Sequence, residues 1–163
     1  SRISDTEKEV LDIHIVIDDV LSFVQHHSNI EHISIEKDYH PSVQPLMVDE
    51  KKIKQVLINL MMNAIHAVGK EGRIRISTDV DENGETLSIK VVDDGHGIQP
   101  RHLKKIFDPF FTTKATGEGT GLGLSVSYGI IQNHGGHIRV ESQPGEGSVF
   151  TVVLPAVPAL EED

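Results

Sequence analysis

The feature that most constrains the fold is a glycine-rich stretch from about Gly95 to Gly123, in which the hydrophobic periodicity of the rest of the chain is lost. Six of the fourteen glycines of the 163-residue chain lie in it. A loop of roughly thirty residues is uncommon inside a compact domain, and such loops are usually functional lids. We therefore predict a functional lid here, with a core built from the elements on either side.

Apolar periodicity predicts regular elements around this stretch. Predicted helices cover about residues 13–28, 50–68 (with Asp49 as N-cap and Gly69 as the stop) and 122–134. Predicted strands cover residues 32–39, 73–80, 86–93, 137–142 and 148–154, with a hairpin turn at 81–84. Helices mixed with hairpin-linked strands predict an α+β fold, a two-layer α/β sandwich with helices on one face of a mixed, mostly antiparallel sheet.

Composition excludes several classes of function. Fifteen Lys and Arg against twenty-five Asp and Glu give a net charge of −10, so no basic face is available for nucleic acid or an anionic membrane. The chain has no Cys, which excludes disulfides and Cys-ligated zinc and fits a reducing compartment. No apolar run approaches a membrane span. We expect a cytoplasmic location, no nucleic-acid partner and no direct membrane contact.

Polar side chains on the second predicted helix form a first candidate site. At roughly 100° per residue, Gln55, Asn59, Asn63 and His66 share an arc of roughly 80°. Asn is unfavourable inside helices, so two of them one turn apart need a reason. Amide oxygens suit Mg²⁺, which takes few protein ligands when phosphates and water supply the rest. An ordinary solvated face explains the pattern equally well.

The end of the predicted strand 86–93 is a second candidate site. The carboxylate of Asp93 can accept a hydrogen bond from an exocyclic amine. Gly95 and Gly97 would let a planar ring approach the backbone, because no Cβ stands in the way. The ordinary alternative is a simple turn, which Asp-Gly pairs commonly form.

A third candidate is the glycine-rich run over residues 117–124, which leads directly into a predicted helix. Backbone N–H groups at a helix N-terminus bind phosphate, and glycine leaves them accessible. Neither of two well-known phosphate loops is present. The third glycine of G-x-G-x-x-G is missing, and Gly69-Lys70 is followed by Glu71 rather than Ser or Thr.

Three Phe residues between these glycine elements, Phe107, Phe110 and Phe111, can pin a loop to the body or simply complete the core. Lys114 is the one Lys or Arg between Phe107 and Leu122, the part of the stretch expected to cover the phosphates. The basic residues before it, Arg101, Lys104 and Lys105, are expected on a solvated helical face. The pair His26-His27 is interpreted as a solvated helix end rather than a metal site.

Together these segments resemble the ATP-binding catalytic domain of sensor histidine kinases, in the superfamily shared with gyrase B, Hsp90 and MutL. Four of the family's motifs occur in order: residues 59–64 resemble the N box, 93–97 the G1 box, 107–110 the F box and 119–124 the G2 box. Each is weak alone, but four in order are specific. The likeness covers about residues 10–155 and implies the Bergerat ATP-binding fold. It is closest to the subclass of nitrogen-regulation and PAS-linked sensors.

The resemblance implies that the chain binds ATP and Mg²⁺. Asn63 matches the main Mg²⁺ ligand, and Asn59 supports the metal and phosphates. Asp93 matches the carboxylate that takes the adenine amino group, and Ile98 lies near the ring. The glycines match purine contacts (Gly95, Gly97) and the lid hinge and phosphate turn (Gly119, Gly121, Gly123). Further nucleotide contacts are expected from His66, Thr112, Thr113, Lys114, Thr120, Leu122 and Leu124.

Two positions depart from the family pattern. Many histidine kinases have Lys or Arg three residues after the second N-box Asn, and this chain has His66. Many have Arg after the F-box aromatics, where this chain has Thr112. Lys114 is the nearest cation, so we assign it to the γ-phosphate and group it with Asn59 and Asn63 as catalytic.

The resemblance further implies a donor of the γ-phosphoryl group to a His on a dimerisation domain, for onward transfer to a response regulator. No His in the chain has the family's phosphoacceptor context. We therefore interpret residues 1–9 as the remnant of a helical dimerisation domain, 10–157 as the catalytic domain and 158–163 as a tail. The isolated chain is expected to be a monomer. Membrane anchoring of a longer parent stays open.

Two other classes of function are kept as alternatives. An ATP-gated clamp of the gyrase, Hsp90 or MutL type usually carries Glu at the first N-box position to activate water, and Asn59 stands there. A non-catalytic nucleotide-sensing or protein-binding module would keep the fold without the chemistry, but the intact Asn63, Asp93 and glycines argue against it.

Overall fold

The computed structural model describes residues 7–111 and 123–156, and the predicted helices and strands within these ranges are confirmed to within a residue or two. The elements are β1 (Glu9–Leu11), α1 (Ile13–His27), β2 (Ile33–Asp38), β3 (Leu46–Val48), α2 (Glu50–Val68), β4 (Gly72–Val80), β5 (Thr86–Asp93), α3 (Pro100–Leu103), α4 (Gly123–Asn133), β6 (His137–Gln143) and β7 (Gly147–Pro155).

Five strands form one sheet in the order β2-β4-β5-β7-β6. Only the β2–β4 pair is parallel, and the other three pairs are antiparallel. Helix α2 packs on β4, β5 and β7, while α4 packs on β6 and β7 and against α2. The helices therefore form one layer over the sheet, which confirms the predicted two-layer architecture.

The alternation of buried and more exposed residues along β5 determines which face of the sheet Asp93 lies on. Leu87, Ile89, Val91 and Asp93 alternate with more exposed neighbours and are all buried. Successive side chains of a strand point to opposite faces, so Asp93 is on the same face as the apolar residues. The last residue of the strand is therefore a carboxylate on the core-facing side of the sheet.

Helix α2 supplies the centre of the core. Its buried side chains are Ile53, Val56, Leu57, Leu60, Met61 and Ala64. Asp49 caps it by accepting a hydrogen bond from the Lys52 amide at 3.2 Å, and Gly69 ends it with a φ of +75°. Both ends are as the sequence predicts. Burial of one such large apolar side chain stabilises the fold by about 1.5–3 kcal/mol.

The start of α2 is also joined to the N-terminal segment and to the end of α4. Asp49 Oδ2 accepts a hydrogen bond from the Glu7 amide at 2.8 Å. The Asp49 amide donates to Nε2 of buried His134 at 3.1 Å, while Nδ1 of His134 lies 2.9 Å from the Ile130 carbonyl. Because both partners are fixed, the ring is held as the neutral Nδ1–H tautomer. Burial lowers the pKa of His134.

A two-stranded antiparallel sheet, β1 with β3, is absent from the sequence prediction. It pairs Glu9 with Val48 and Leu11 with Leu46. Strand β1 begins at Glu9, so the predicted boundary between residues 9 and 10 crosses it. The division into remnant, domain and tail stays a prediction.

Two surface expectations can be compared with the described residues. His26 and His27 are exposed at the end of α1, and each Nδ1 lies within 2.9 Å of the carbonyl four residues earlier. No group of three metal-ligating His, Cys, Asp or Glu side chains occurs within residues 7–111 and 123–156. No helix in those ranges has the length and apolar character that crossing a bilayer requires.

Candidate functional site

Helix α2 presents both predicted asparagines, and one of them joins α2 to α4. Asn59 and Asn63 are half-buried, one turn apart. Nδ2 of Asn59 donates to the carbonyl oxygen of Gly123 and to Oγ of Ser127, each at 3.1 Å. The predicted N box and the end of the predicted G2 box therefore meet, although 64 residues separate Asn59 from Gly123. Oδ1 of Asn59 can serve a ligand as an acceptor.

Asp93 is a buried acceptor at the end of β5. The residue is 5% exposed, and its Oδ1 accepts a hydrogen bond from the Gly95 amide at 2.8 Å. Burial raises the pKa of Asp93, and the backbone hydrogen bonds from Gly95 and Ser148, together with the nearby His96, only partly oppose this effect. Among the described residues no salt bridge reaches Asp93, and a buried carboxylate of this kind suits a neutral N–H donor such as an amine.

The neighbouring Asp94 has a structural task instead. Its side chain is exposed at the strand end, and Oδ1 accepts a hydrogen bond from the Arg73 amide at 2.9 Å. The Asp94 amide donates back to the Arg73 carbonyl at 3.2 Å. A Cβ at Gly72 would lie 2.7 Å from Asp94 Oδ1. Asp94 therefore secures the start of β4, a role that sequence reasoning did not separate from that of Asp93.

The glycines of the G1 segment are required by close backbone packing within the protein itself. A Cβ at Gly95 would lie 2.5 Å from the carbonyl of Ala67 at the end of α2. Gly97 has a φ of +77°, and a Cβ there would lie 2.0 Å from the Gln143 carbonyl oxygen. These contacts fix the loop between α2 and the β6–β7 turn. Close approach of a ring to the same glycines stays a prediction.

Two serines of the β6–β7 hairpin support this loop and were not identified from sequence. Ser142 Oγ accepts a hydrogen bond from the Ile98 amide at 2.8 Å and lies 2.8 Å from Ser148 Oγ. Ser142 also donates to the Gly147 carbonyl at 2.9 Å. Ile98, the predicted ring neighbour, is half-buried and packs against the core. A serine in a strand gives no sequence signal of such a role.

The F-box aromatics are anchored unequally. The Phe107 ring lies 5.4 Å from the Tyr128 ring of α4, and the Phe111 ring lies 5.3 Å from His102. Phe110 is 73% exposed and has a φ of +68°. Two of the three rings therefore pack against the body. The basic side chains before them are exposed as expected, but only Arg101 lies in α3, since the helix ends at Leu103 and Lys104 and Lys105 follow it.

The remaining predicted contacts divide between the described and undescribed parts of the chain. His66 is exposed near the end of α2, and Leu124 is half-buried in the first turn of α4. Seven predicted contacts lie outside the described residues: Thr112, Thr113, Lys114, Gly119, Thr120, Gly121 and Leu122. Their assignment stays a prediction.

A helix layer over a mostly antiparallel sheet, with a buried carboxylate at a strand end beside an asparagine-bearing helix, is the arrangement expected of the ATP-binding fold. Residues 48–158 match the family of histidine kinase-, DNA gyrase B- and HSP90-like ATPases, and the chain belongs to this family.

Within it, the chain is similar to sensor histidine kinases. It is 40% identical over 147 residues to the sensor histidine kinase ZraS of Escherichia coli (strain K12), covering 90% of this chain and 31% of ZraS. The chain thus spans about a third of the length of this curated relative.

Solved structures agree with this placement. The nucleotide-free catalytic domain of histidine kinase ThkA is 33% identical, with a TM-score of 0.81 over 93% of this chain and 99% of that domain. ThkA in complex with the response regulator protein TrrA is 31% identical, with a TM-score of 0.77 over 93% of this chain and 42% of that one. The predicted fold and the predicted resemblance to a histidine kinase catalytic domain are confirmed.

Proposed function

We propose that this domain binds Mg²⁺ and ATP and donates the γ-phosphoryl group to a His on a dimerisation domain of the same protein, for onward transfer to a response regulator. The observation that carries the proposal is the junction of Asn59 with Gly123 and Ser127. This junction joins the helix with two amide side chains to the start of the helix that follows the glycine-rich lid.

Asp93 is proposed to accept a hydrogen bond from the adenine amino group. Its burial and its place at the end of β5 support this role. The loop over residues 94–98 is held by backbone contacts to α2 and to the β6–β7 turn. A rigid acceptor of this kind costs little reorganisation when a base binds beside it.

Asn63 and Asn59 are proposed to hold the Mg²⁺ ion. Their amide oxygens are hard ligands, and two protein ligands suit an ion that takes its others from phosphates and water. When bound, the ion neutralises phosphate charge. In a chain with a net charge of −10, such neutralisation reduces the repulsion between the protein and a triphosphate.

Phosphoryl transfer asks the domain for positioning and charge neutralisation rather than covalent chemistry. Lys114 is proposed to meet the γ-phosphate, with His66, Thr112 and Thr113 near the phosphates and Gly119, Thr120, Gly121, Leu122 and Leu124 in the lid and its hinge. The base for the acceptor imidazole lies in the phosphoacceptor domain. Alone, the chain is expected to bind ATP and turn it over poorly.

The response-regulator partner is proposed by analogy with ThkA, which is solved in complex with the response regulator protein TrrA. Use of ATP favours a cytoplasmic location for this domain. The isolated chain is proposed to be a monomer.

An ATP-hydrolysing clamp is the less favoured function. A water-activating residue at the first N-box position must accept a proton, which an amide does not do at neutral pH. The Asn59 amide nitrogen is also engaged with α4.

The proposal is tested by calorimetric titration of a non-hydrolysable ATP analogue, with and without Mg²⁺. Wild type is expected to bind saturably and more tightly with Mg²⁺, and Asp93→Ala is expected to lose binding. Asp94→Ala is the matched control, because Asp94 bonds the Arg73 amide and is exposed. Equal binding by wild type and Asp93→Ala would contradict the adenine assignment, and a folded wild type that binds no nucleotide would contradict the function.

A further inference from the structure

We propose that Ser127 is a positioning residue for Asn59, fixing the orientation of its amide so that the oxygen is presented to the metal. This inference rests on the proposed function of Asn59. Ser127 lies in α4, outside every motif that the sequence analysis identified.

The geometry is a pair of contacts across the α2–α4 interface. Ser127 is completely buried, and its Oγ lies 3.1 Å from Asn59 Nδ2. The Gly123 carbonyl lies 3.1 Å from the same nitrogen. Gly123 and Ser127 are four residues apart on one helix, so they face α2 from the same side. The Asn59 amide nitrogen therefore has two acceptors, both on α4.

An amide has two hydrogens on nitrogen and none on oxygen, so a neighbouring group that can only accept discriminates between its two orientations. A carbonyl can only accept, and the Gly123 carbonyl therefore selects the nitrogen. The Ser127 hydroxyl takes the second hydrogen. With the nitrogen committed to α4, Oδ1 lies on the other branch of the amide and is turned away from these two groups. The reversed amide would place its oxygen against the Gly123 carbonyl oxygen and present N–H groups, which repel a cation.

A purely structural role for Ser127 predicts a different result. If Ser127 only joined two helices, its removal would lower the stability of the fold and leave nucleotide binding with and without Mg²⁺ equally affected. A positioning role predicts an effect confined to the orientation of the Asn59 amide and to the Mg²⁺-dependent part of binding. The two roles are therefore separable by experiment.

The first measurement needs no nucleotide. Solvent exchange of the Asn59 side-chain amide protons is followed by NMR in wild type, Ser127→Ala and Ser127→Thr. Ser127→Ala is expected to speed exchange by roughly fivefold, the factor for one lost hydrogen bond. Ser127→Thr keeps a hydroxyl and is expected to restore slow exchange. Unchanged exchange in Ser127→Ala would overturn the proposal.

The second measurement is the ratio of ATP-analogue affinities with and without Mg²⁺. Ser127→Ala is expected to reduce this ratio by roughly three- to tenfold, with Mg²⁺-free affinity unchanged. The matched control is Thr78→Val, which removes a buried hydroxyl that lies 2.8 Å from His14 Nε2. Thr78 is four residues along β4 from Ile74, which pairs with Asp93, and it is therefore remote from the proposed nucleotide site. Loss of the Thr78 hydroxyl should lower the stability of the fold and leave the ratio of affinities with and without Mg²⁺ unchanged.

The outcomes separate this inference from the function on which it rests. An unchanged Mg²⁺ ratio in folded Ser127→Ala, with a wild type that binds Mg²⁺ and nucleotide, overturns the positioning role alone. A wild type that binds no nucleotide overturns the proposed function, while the exchange measurement still decides whether Ser127 orients the amide.

Discussion

At the scale of single residues, the burial of Asp93 affects both its ionisation and its expected hydrogen bond to a ligand. Burial raises the pKa of this carboxyl, which means that the folded apo protein holds the negative charge at a cost. An N–H donor brought by a ligand would lower that cost, because hydrogen bonding to the charged form favours ionisation. Binding and ionisation of Asp93 are therefore linked.

This linkage gives a prediction for the pKa of Asp93. In the free protein the pKa of Asp93 is expected above its ordinary value of 3.8, and saturation with an ATP analogue is expected to lower it, because a hydrogen bond to the charged form favours ionisation. Carboxyl-carbon NMR titration with and without the analogue measures both values. A pKa that rises on binding would mean that Asp93 donates as an acid, contrary to the adenine assignment.

A second residue-scale prediction concerns the glycines. Gly97→Ala is expected to lower the free energy of unfolding by at least ~2 kcal/mol, because it combines a positive φ with backbone contact at 2.0 Å. Gly123 has no such constraint, since a Cβ there would lie 3.6 Å from Asn59 Cγ. Gly123→Ala should therefore change stability by less than about 1 kcal/mol. Urea unfolding measures both.

The same Gly123→Ala variant separates packing from ligand contact. If the absence of a Cβ at Gly123 makes room for the nucleotide, the variant should fold normally and bind the ATP analogue roughly five- to 160-fold more weakly, from overpacking of roughly 1–3 kcal/mol. Normal affinity of the Gly123→Ala variant for the ATP analogue would show that the nucleotide does not need the space left by the missing Cβ.

At the scale of elements, His134 connects the end of α4 to the start of α2. Its ring accepts from the Asp49 amide, and a protonated ring could not. Because its pKa is lowered by burial, the unfolded chain binds the proton more readily than the folded one. The stabilisation from His134 is therefore complete above its ordinary pKa of 6.5 and is lost as the pH falls through the lower folded value.

His134→Gln tests this connection, because Gln keeps an acceptor but does not titrate. At pH 7.5 the variant is expected to lose about 1 kcal/mol of stability, for one hydrogen bond. Between pH 6.5 and pH 5 the wild type should lose more stability than the variant. His14, whose pKa burial also lowers, contributes equally to both proteins. Parallel urea-unfolding profiles against pH would contradict the assignment.

Elements also show what sequence could and could not predict. Helix α2 was predicted with both of its ends, because its caps and apolar stripe are local signals. Strands β1 and β3 have three residues each, too few for a period of two to appear. The roles of Ser127, Ser142 and His134 depend on partners far along the chain. The sequence around a Ser or a His does not identify such a partner, so these roles could not be predicted.

At the scale of the whole molecule, the order of the four motifs predicts the family, and the match over residues 48–158 confirms it. The structure adds the connections between them. The G1 loop is bonded to the end of α2 through the His96 amide and the Ala67 carbonyl, and to the β6–β7 turn through the Gly145 amide and the His96 carbonyl. The Mg²⁺ and lid assignments stay proposals.

Asp49 provides a prediction at this scale, because its two oxygens serve different parts of the molecule. Oδ1 caps α2 through Lys52, and Oδ2 holds Glu7. Asp49→Asn keeps one acceptor for the cap and loses the other. Hydrogen exchange of the β1 amides is expected to rise about fivefold, for one hydrogen bond, while α2 amides keep their protection. Asp49→Ala, which loses both contacts, should destabilise the protein by about 1–2 kcal/mol.

This division of labour within one carboxylate has a mechanical consequence. A pull on the chain at residue 7 loads the Glu7–Asp49 bond and the three-residue pairing of β1 with β3 before it reaches α2. Those contacts can break while Asp49 Oδ1 still caps α2 through the Lys52 amide. Under tension the N-terminal segment is therefore expected to detach first, while the helix that carries Asn59 and Asn63 keeps its structure.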